Sequence, residues 1–242
     1  MMTYATFTHN GGRPVNEDTI AVCDGGDKSC FVVCDGLGGH GLGDEASQFV
    51  AAHILDAFTA ADKVGDDFLN TCFPAAQEAL SRVQKEKKRQ QKMKTTAVCM
   101  TVQKKKAHVA YVGDSRFYAF GKNGVKCQSE DHSVPYMLYM SGQIAADEIR
   151  HHPDRNLLMR VMGTDWDAPK HQLLRPMPLW KYRAFLLCTD GFWELITEET
   201  MSALLKTATS AQQWLDAMVL EVQKNGEGKD MDNFSAIAIF CK

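Results

Sequence analysis

Short apolar blocks, some alternating with polar residues and some continuous, recur along this chain between turns rich in glycine, asparagine and charge. Residues 3–8 alternate weakly and 19–23 (Thr-Ile-Ala-Val-Cys) form an apolar run, which predicts two strands separated by the turn material His9-Asn-Gly-Gly-Arg-Pro14. Gly25-Gly-Asp27 reads as a hairpin turn into a third, buried strand at 31–34 (Phe-Val-Val-Cys). That strand stops at Asp35, and glycines follow at 36, 38, 39, 41 and 43. Asp44 stands where an N-cap is expected, ahead of a helix over 44–61, and a second apolar stripe predicts a helix over 66–92. Strands are expected at 95–102, 108–112 and 117–120, with turns at lysines 104–106 and at Lys122-Asn-Gly124. Residues 133–165 turn Met-rich and polar and read as helical. Strands return at 172–174, 182–188 and 234–241, with helices at 197–205 and 211–224.

Runs of antiparallel strands with paired helices argue for an α+β fold, its hairpin-linked sheets stacked and its helices outside. A chain of 242 residues suits one large domain or two small ones, and there is no internal repeat or Pro/Gly/Ser linker. A net charge of −3 argues against a general nucleic-acid binder. The N-terminus has no apolar signal core, and no run approaches the ~18 apolar residues of a membrane span. The eight cysteines lie mostly inside apolar segments, without a CxxC pair, and read as reduced core residues of a cytoplasmic protein. The basic run from Lys85 to Lys94 reads as a solvated helix end that complements the helix dipole.

The chemistry is carried by carboxylates at strand ends. Asp35 follows one strand, Asp114 follows another in Val112-Gly-Asp-Ser-Arg116, and Asp190 a third in Leu187-Cys-Thr-Asp-Gly-Phe192. Asp232-Asn233 leads into the last strand, and Asn16-Glu-Asp18 precedes the second. Taken singly, each is a turn residue. If the strand ends converge, so many negative charges require cations, and all-oxygen ligation favours Mg²⁺ or Mn²⁺ over Zn²⁺. Pairs of such ions promote hydrolysis by acidifying a bridging water and clamping a phosphoryl group. The Gly-rich turn after Asp35 could equally cradle a phosphate.

In that order, Arg13-x-x-Asn-Glu-Asp18, Asp35-Gly-x-Gly-Gly39, Gly113-Asp-Ser-Arg116, Thr189-Asp-Gly191 and Asp232-Asn233 resemble the motifs of metal-dependent protein phosphatases of the protein phosphatase 2C class. Glu130-Asp-His-Ser133 and His151-His-Pro-Asp-Arg-Asn-Leu157 resemble its compact bacterial members. The resemblance implies a four-layer α/β/β/α sandwich of two antiparallel sheets between helical layers. It also implies a small helical flap at about 137–165 within one catalytic domain over 1–242. The implied activity is hydrolysis of phosphoserine and phosphothreonine in proteins, reversing a bacterial Hanks-type kinase, by a monomer that engages neither nucleic acid nor membrane.

The resemblance makes Asp35 the bridge between two Mg²⁺ or Mn²⁺ ions, with Asp190 and Asp232 on the first and Glu17 and the Gly36 carbonyl on the second. Asp114 would join Asp190 at a third, weaker ion. Arg13 matches the phosphate-binding arginine, a role suited to a planar bidentate donor. Asp18, Asn233 and His40 would stand behind the ligands. Leu37 takes the place of the histidine proposed as general acid in eukaryotic members, so that role does not transfer. His40 is read as structural rather than as the proton donor. The competing readings are a catalytically weak phosphoprotein-binding scaffold, which should have lost a metal carboxylate, and a two-metal nuclease, which should carry a basic groove.

Overall fold

Each strand block folds as sheet, and the register of the sheets decides where the carboxylates meet. The computed structural model describes residues 2–38, 41–89 and 92–241. Strands β1 (Met2–His9), β2 (Asp18–Asp24) and β3 (Lys28–Asp35) precede helices α1 (Gly43–Ala60) and α2 (Asp66–Glu86). Two hairpins follow, β4 (Ala97–Gln103) with β5 (Lys106–Val112) and β6 (Arg116–Gly121) with β7 (Gly124–Gln128). Then come α3 (Val134–Met140), the two-residue strands β8 (Gln172–Leu173) and β9 (Met177–Pro178), and β10 (Ala184–Cys188). The chain closes with α4 (Asp190–Trp193), α5 (Glu198–Thr207), α6 (Ala211–Gly226) and β11 (Phe234–Cys241).

One sheet has the order β1-β11-β10-β6-β7, and the other β2-β3-β4-β5-β8, with β9 also on β5. Period-two alternation sorts the side chains into layers. Phe31, Val33, Val98, Val109, Phe185 and Ile237 fill the space between the sheets. On the outer side of the second sheet, Cys30, Val32 and Cys34 pack under Val50, Ile54, Leu69 and Phe73 of α1 and α2. Leu186 and Ala238 face the opposite helical layer, where Met201, Trp214 and Met218 of α5 and α6 cover them. The expected sandwich of two antiparallel sheets between helices is therefore present. Among the described residues no helix is long and apolar enough to cross a membrane. All eight cysteines are free, five of them buried.

Four local expectations are corrected. Helix α2 ends at Glu86 instead of 92: Lys88 takes φ 54° and the Arg89 N–H turns back to the Gln84 carbonyl at 2.7 Å. The cations Lys85, Lys87, Lys88, Arg89 and Lys92 repel one another, and no apolar face there buries against the sheet. Asp44 does not cap α1; Leu42 holds that position without a side-chain bond, and Asp44 sits in the first turn, where its charge favours the helix dipole. Residues 133–165 are helical only at α3 and in a 3₁₀ turn at Ala146–His151, with Gly142 at φ 75° and Pro153 interrupting the rest. Strand β9 and the single turn of α4 are not predicted, being too short for a period to repeat, and neither is β7, whose residues show no clean alternation of buried and exposed positions.

Candidate active site

Antiparallel register gathers the strand-end carboxylates at one edge of the sandwich. In the second sheet Asp18 at the start of β2 pairs with Asp35 at the end of β3. Ala97 pairs with Val112 there, so the Gly113–Ser115 turn lies at the same edge. In the first sheet Cys188 pairs with both Arg116 and Ala236, and His9 pairs with Phe234. The loops carrying Arg13, Glu17, Asp190 and Asp232 therefore open onto this edge too.

Hydrogen bonds fix each element of the site. The Asp35 N–H donates to Thr96 Oγ1 at 3.0 Å, and its carbonyl accepts from Thr95 Oγ1 and the Thr96 N–H, both at 2.8 Å. The Thr189 hydroxyl donates to Asp18 Oδ2 at 2.9 Å and accepts from the Ser235 N–H at 3.0 Å, which ties the two sheets together behind the site. Asn233 clamps the 10–17 loop. Its Oδ1 accepts from the Glu17 N–H at 2.8 Å, and its amide donates to the Asn10 and Val15 carbonyls at 2.9 and 3.0 Å. Gly191 lets α4 press against the β11 entry, since a Cβ there would meet the Asn233 carbonyl oxygen at 2.2 Å. Asp190 and Asp232 are thereby held side by side.

Burial and mutual repulsion dominate the electrostatics. Burial, then the charges of Asp190, Asp18 and Asp114, hold the Asp35 carboxyl well above the usual range, and Asp35 and Asp190 lie within hydrogen-bonding reach of each other. Burial, with Asp190 and Asp131 nearby, does the same to Asp114. Burial first, then the charge of Asp44, raises Glu17. Asp18 Oδ1 is buried without a protein partner. Arg13 pairs with Asp232 through Nε and an NH group, both at 3.2 Å, and reaches Asp230 at 3.5 Å.

An oxygen-only donor set with an orphaned buried carboxylate oxygen suits hard divalent cations. So does the bare backbone at Gly38, where a Cβ would lie 1.9 Å from Glu17 Oε2. Among the described residues, however, no three His, Cys, Asp or Glu side chains are drawn tightly enough together to grip a cation as they stand. Arg13 occupies the Asp232 carboxylate, while Asp35 and Asp190 lie against each other. Of the expected site residues, His40 lies outside the described residues.

The sequence profile of the family described as Protein phosphatase 2C matches residues 8–234. The chain belongs to that family. It is similar to the serine/threonine phosphatase stp of Listeria welshimeri, at 28% identity over 244 residues, covering 94% of this chain and 92% of that protein. Its fold is similar to the crystal structure of serine/threonine phosphatase Stp1 from Staphylococcus aureus, with a TM-score of 0.91, 28% identity and coverage of 100% of this chain and 96% of that one. It also resembles in fold the catalytic domain of the phosphatase PstP in complex with two manganese ions, with a TM-score of 0.78, 22% identity and coverage of 99% and 97%.

Behind this candidate site stands a supporting layer whose contacts the sequence does not reveal, although Arg116, Asp131 and His132 stand in the motifs quoted above. Arg116, 5% exposed, makes a bidentate pair with Asp131, 1% exposed, at 2.8 and 2.6 Å. Its guanidinium lies 3.3 Å from the Trp193 ring centroid, and the Trp193 indole N–H donates to the Asp114 carbonyl at 3.0 Å. The Gly113 N–H is held by His132 Nδ1 at 3.1 Å, and the Thr96 and Ser115 hydroxyls are 2.7 Å apart. The signals for this layer are the motifs Gly113-Asp-Ser-Arg116 and Glu130-Asp-His-Ser133, which mark its residues but not their pairing.

Cation-free, this arrangement costs stability at neutral pH. Burial first pushes the Asp18 carboxyl from 3.8 up to about 7, and burial, then the charge of Asp190, moves Glu194 from 4.5 to about 7. The folded state thus holds protons that the unfolded state has released, so this contribution is complete below about pH 4 and is lost as pH rises through about 7. Melting of the cation-free protein should fall across that window, and saturating Mn²⁺ should restore stability at its upper end. A cation-free melting temperature that rises steadily from pH 4 to 7, with no response to Mn²⁺, would contradict this electrostatic picture.

Proposed function

We propose that this chain hydrolyses phosphoserine and phosphothreonine in proteins with two Mg²⁺ or Mn²⁺ ions. The observation that carries the reading is the convergence of Glu17, Asp18, Asp35, Asp114, Asp190 and Asp232 on one sandwich edge, with burial and mutual repulsion raising Asp35 and Asp114. Such a set is unfavourable without cations, and every carboxylate that the family resemblance requires is retained, which speaks against a scaffold. Manganese in the structure of PstP supports the choice of metal. Bound cations would supply an acidified water and neutralise the phosphoryl oxygens. Asp35 would bridge them, with Asp190 and Asp232 on one, Glu17 and the Gly36 carbonyl on the other, and Asp114 with Asp190 at a third, weaker site.

Asp18 and Asn233 would orient what the ligands hold, Asp18 through its free Oδ1 and Asn233 by fixing the Glu17 backbone. Arg13, paired here with the proposed cation ligand Asp232, would hold the phosphate, and its planar fork suits two phosphoryl oxygens. Arg13→Ala should then raise KM by about tenfold while lowering kcat less, as expected for a group that binds the ground state. An unchanged KM for both a phosphopeptide and a small aryl phosphate would remove Arg13 from the site.

The same reading makes 1–242 one catalytic domain, monomeric and cytoplasmic, opposing a Hanks-type kinase, with 137–165 as a flap that selects substrates. Met137, Met140, Leu157 and Met159 are exposed there, and flexible apolar side chains adapt to varied partners. Exchange of this segment with that of a relative should alter peptide preference and leave aryl phosphate turnover nearly unchanged. Equal losses on both substrates would reduce it to a packing layer.

A further inference from the structure

The basic segment after α2 has no part in the chemistry above, yet it runs into the wall of the site. Lys85, Lys87, Lys88, Arg89 and Lys92 are exposed, in a chain whose net charge is −3. Lys87 pairs with Glu45 at 2.6 Å, whereas among the described residues Lys85, Lys88, Arg89 and Lys92 enter no ion pair. The segment is anchored at both ends. The Arg89 N–H returns to the Gln84 carbonyl at 2.7 Å, and Gln84 Nε2 holds the Met93 carbonyl at 2.7 Å. The Lys94 carbonyl accepts the Leu37 N–H at 2.9 Å, and Thr95 pairs with Gly36, the proposed carbonyl ligand.

We propose that this segment docks an acidic, carboxylate-rich stretch flanking the phosphoresidue of a substrate protein, an inference that rests on the phosphatase reading. Lys92 is three residues from Thr95 and hence within about 11 Å of it along the chain. An extended substrate whose phosphoresidue lies in the site would bring residues about three to five positions away alongside Lys85, Lys88, Arg89 and Lys92. Carboxylates pair with such cations, and arginine adds bidentate contacts. Exposed pairs of this kind govern partner choice and encounter more than tightness, and salt screens them within about 10 Å. Because α2 closes at Glu86, Lys85 stands on its last turn, and Lys88, Arg89 and Lys92 stand in the connection that leads to Thr95 at the edge of the site.

The test uses three phosphothreonine peptides that differ only in having Glu, Gln or Lys at positions three to five from the phosphoresidue, with a small aryl phosphate as a substrate too small to reach the segment. The wild-type protein should favour the Glu peptide over the Gln peptide by roughly tenfold in kcat/KM, through KM, and lose the preference at high salt. Lys85→Glu, Lys88→Glu, Arg89→Glu and Lys92→Glu together should reverse the ranking toward the Lys peptide. The same four positions changed to Gln should abolish the ranking, with aryl phosphate turnover unchanged in both variants. The same peptide ranking in wild type and both variants would overturn the inference. So would single-stranded DNA binding that these variants lose while the peptide ranking stays put, since the segment would then serve nucleic acid. Failure of the phosphatase reading itself would show separately, as no aryl phosphate turnover with Mn²⁺ in any of the proteins.

Discussion

Asp35→Asn is expected to lower phosphopeptide turnover by a factor on the order of 10³, the loss that follows removal of a central electrostatic group from a catalytic site. The substitution keeps the volume, and the β3 backbone remains bonded to Thr95 and Thr96. What disappears is the charge that the neighbouring Asp190, Asp18 and Asp114 oppose. Removing it should therefore raise the melting temperature of the cation-free protein near neutral pH while abolishing activity. Asp114→Asn offers the graded comparison. It should keep the fold and the two tight ions, yet lower turnover by about tenfold, the loss of one weak water-rich cation site. Wild-type turnover by folded Asp35→Asn would end the proposal that this residue bridges two cations. Wild-type turnover by folded Asp114→Asn would return that residue to a turn-forming role.

The second large effect is on stability, behind the site. Asp131→Ala leaves the Arg116 guanidinium buried against Trp193 without its bidentate partner. Breaking a buried pair in this way costs about 3–5 kcal/mol, because the remaining charge is desolvated and uncompensated. Glu198 at 3.4 Å and the Tyr118 hydroxyl at 3.0 Å are weaker substitutes. In a domain of this size the melting temperature should fall by about 10 °C. The double change Arg116→Met with Asp131→Leu should recover most of it, since neither charge then remains to be buried. A fall of less than about 2 °C for Asp131→Ala would mean that water reaches Arg116.

What was legible in the sequence follows from the range over which each feature is determined. The strands and their terminal carboxylates stood out because Asp35, Asp114 and Asp190 each break an apolar run beside a glycine or a threonine, which is local chemistry. Their convergence became an expectation only through motif order, because antiparallel register across two sheets joins Asp18 to Asp35 and Arg13 to Asp232, the latter pair 219 residues apart. Arg116 and Asp131 each stand in a quoted motif, but their pairing does not show for the same reason, since both look like turn or strand-edge polar groups until the hairpin buries them. At the end of α2 the apolar stripe runs out before residue 87, and the clustered cations do not sustain the helix on propensity alone. Helix α4 has four residues and strand β9 two, about one period each, too short for a pattern to repeat.

The central claim is that the converged carboxylates hold divalent cations for phosphomonoester hydrolysis, and phosphate release from a phosphothreonine peptide tests it most directly. The protein should be stripped of metal, assayed with Mn²⁺, with Mg²⁺ and with excess EDTA, and assayed again after mild thiol alkylation. Phosphate release should require either cation, vanish in EDTA, return when cation is restored and survive alkylation, because no cysteine belongs to the proposed ligand set. Full hydrolysis in EDTA, or loss of activity on alkylation alone, would contradict it.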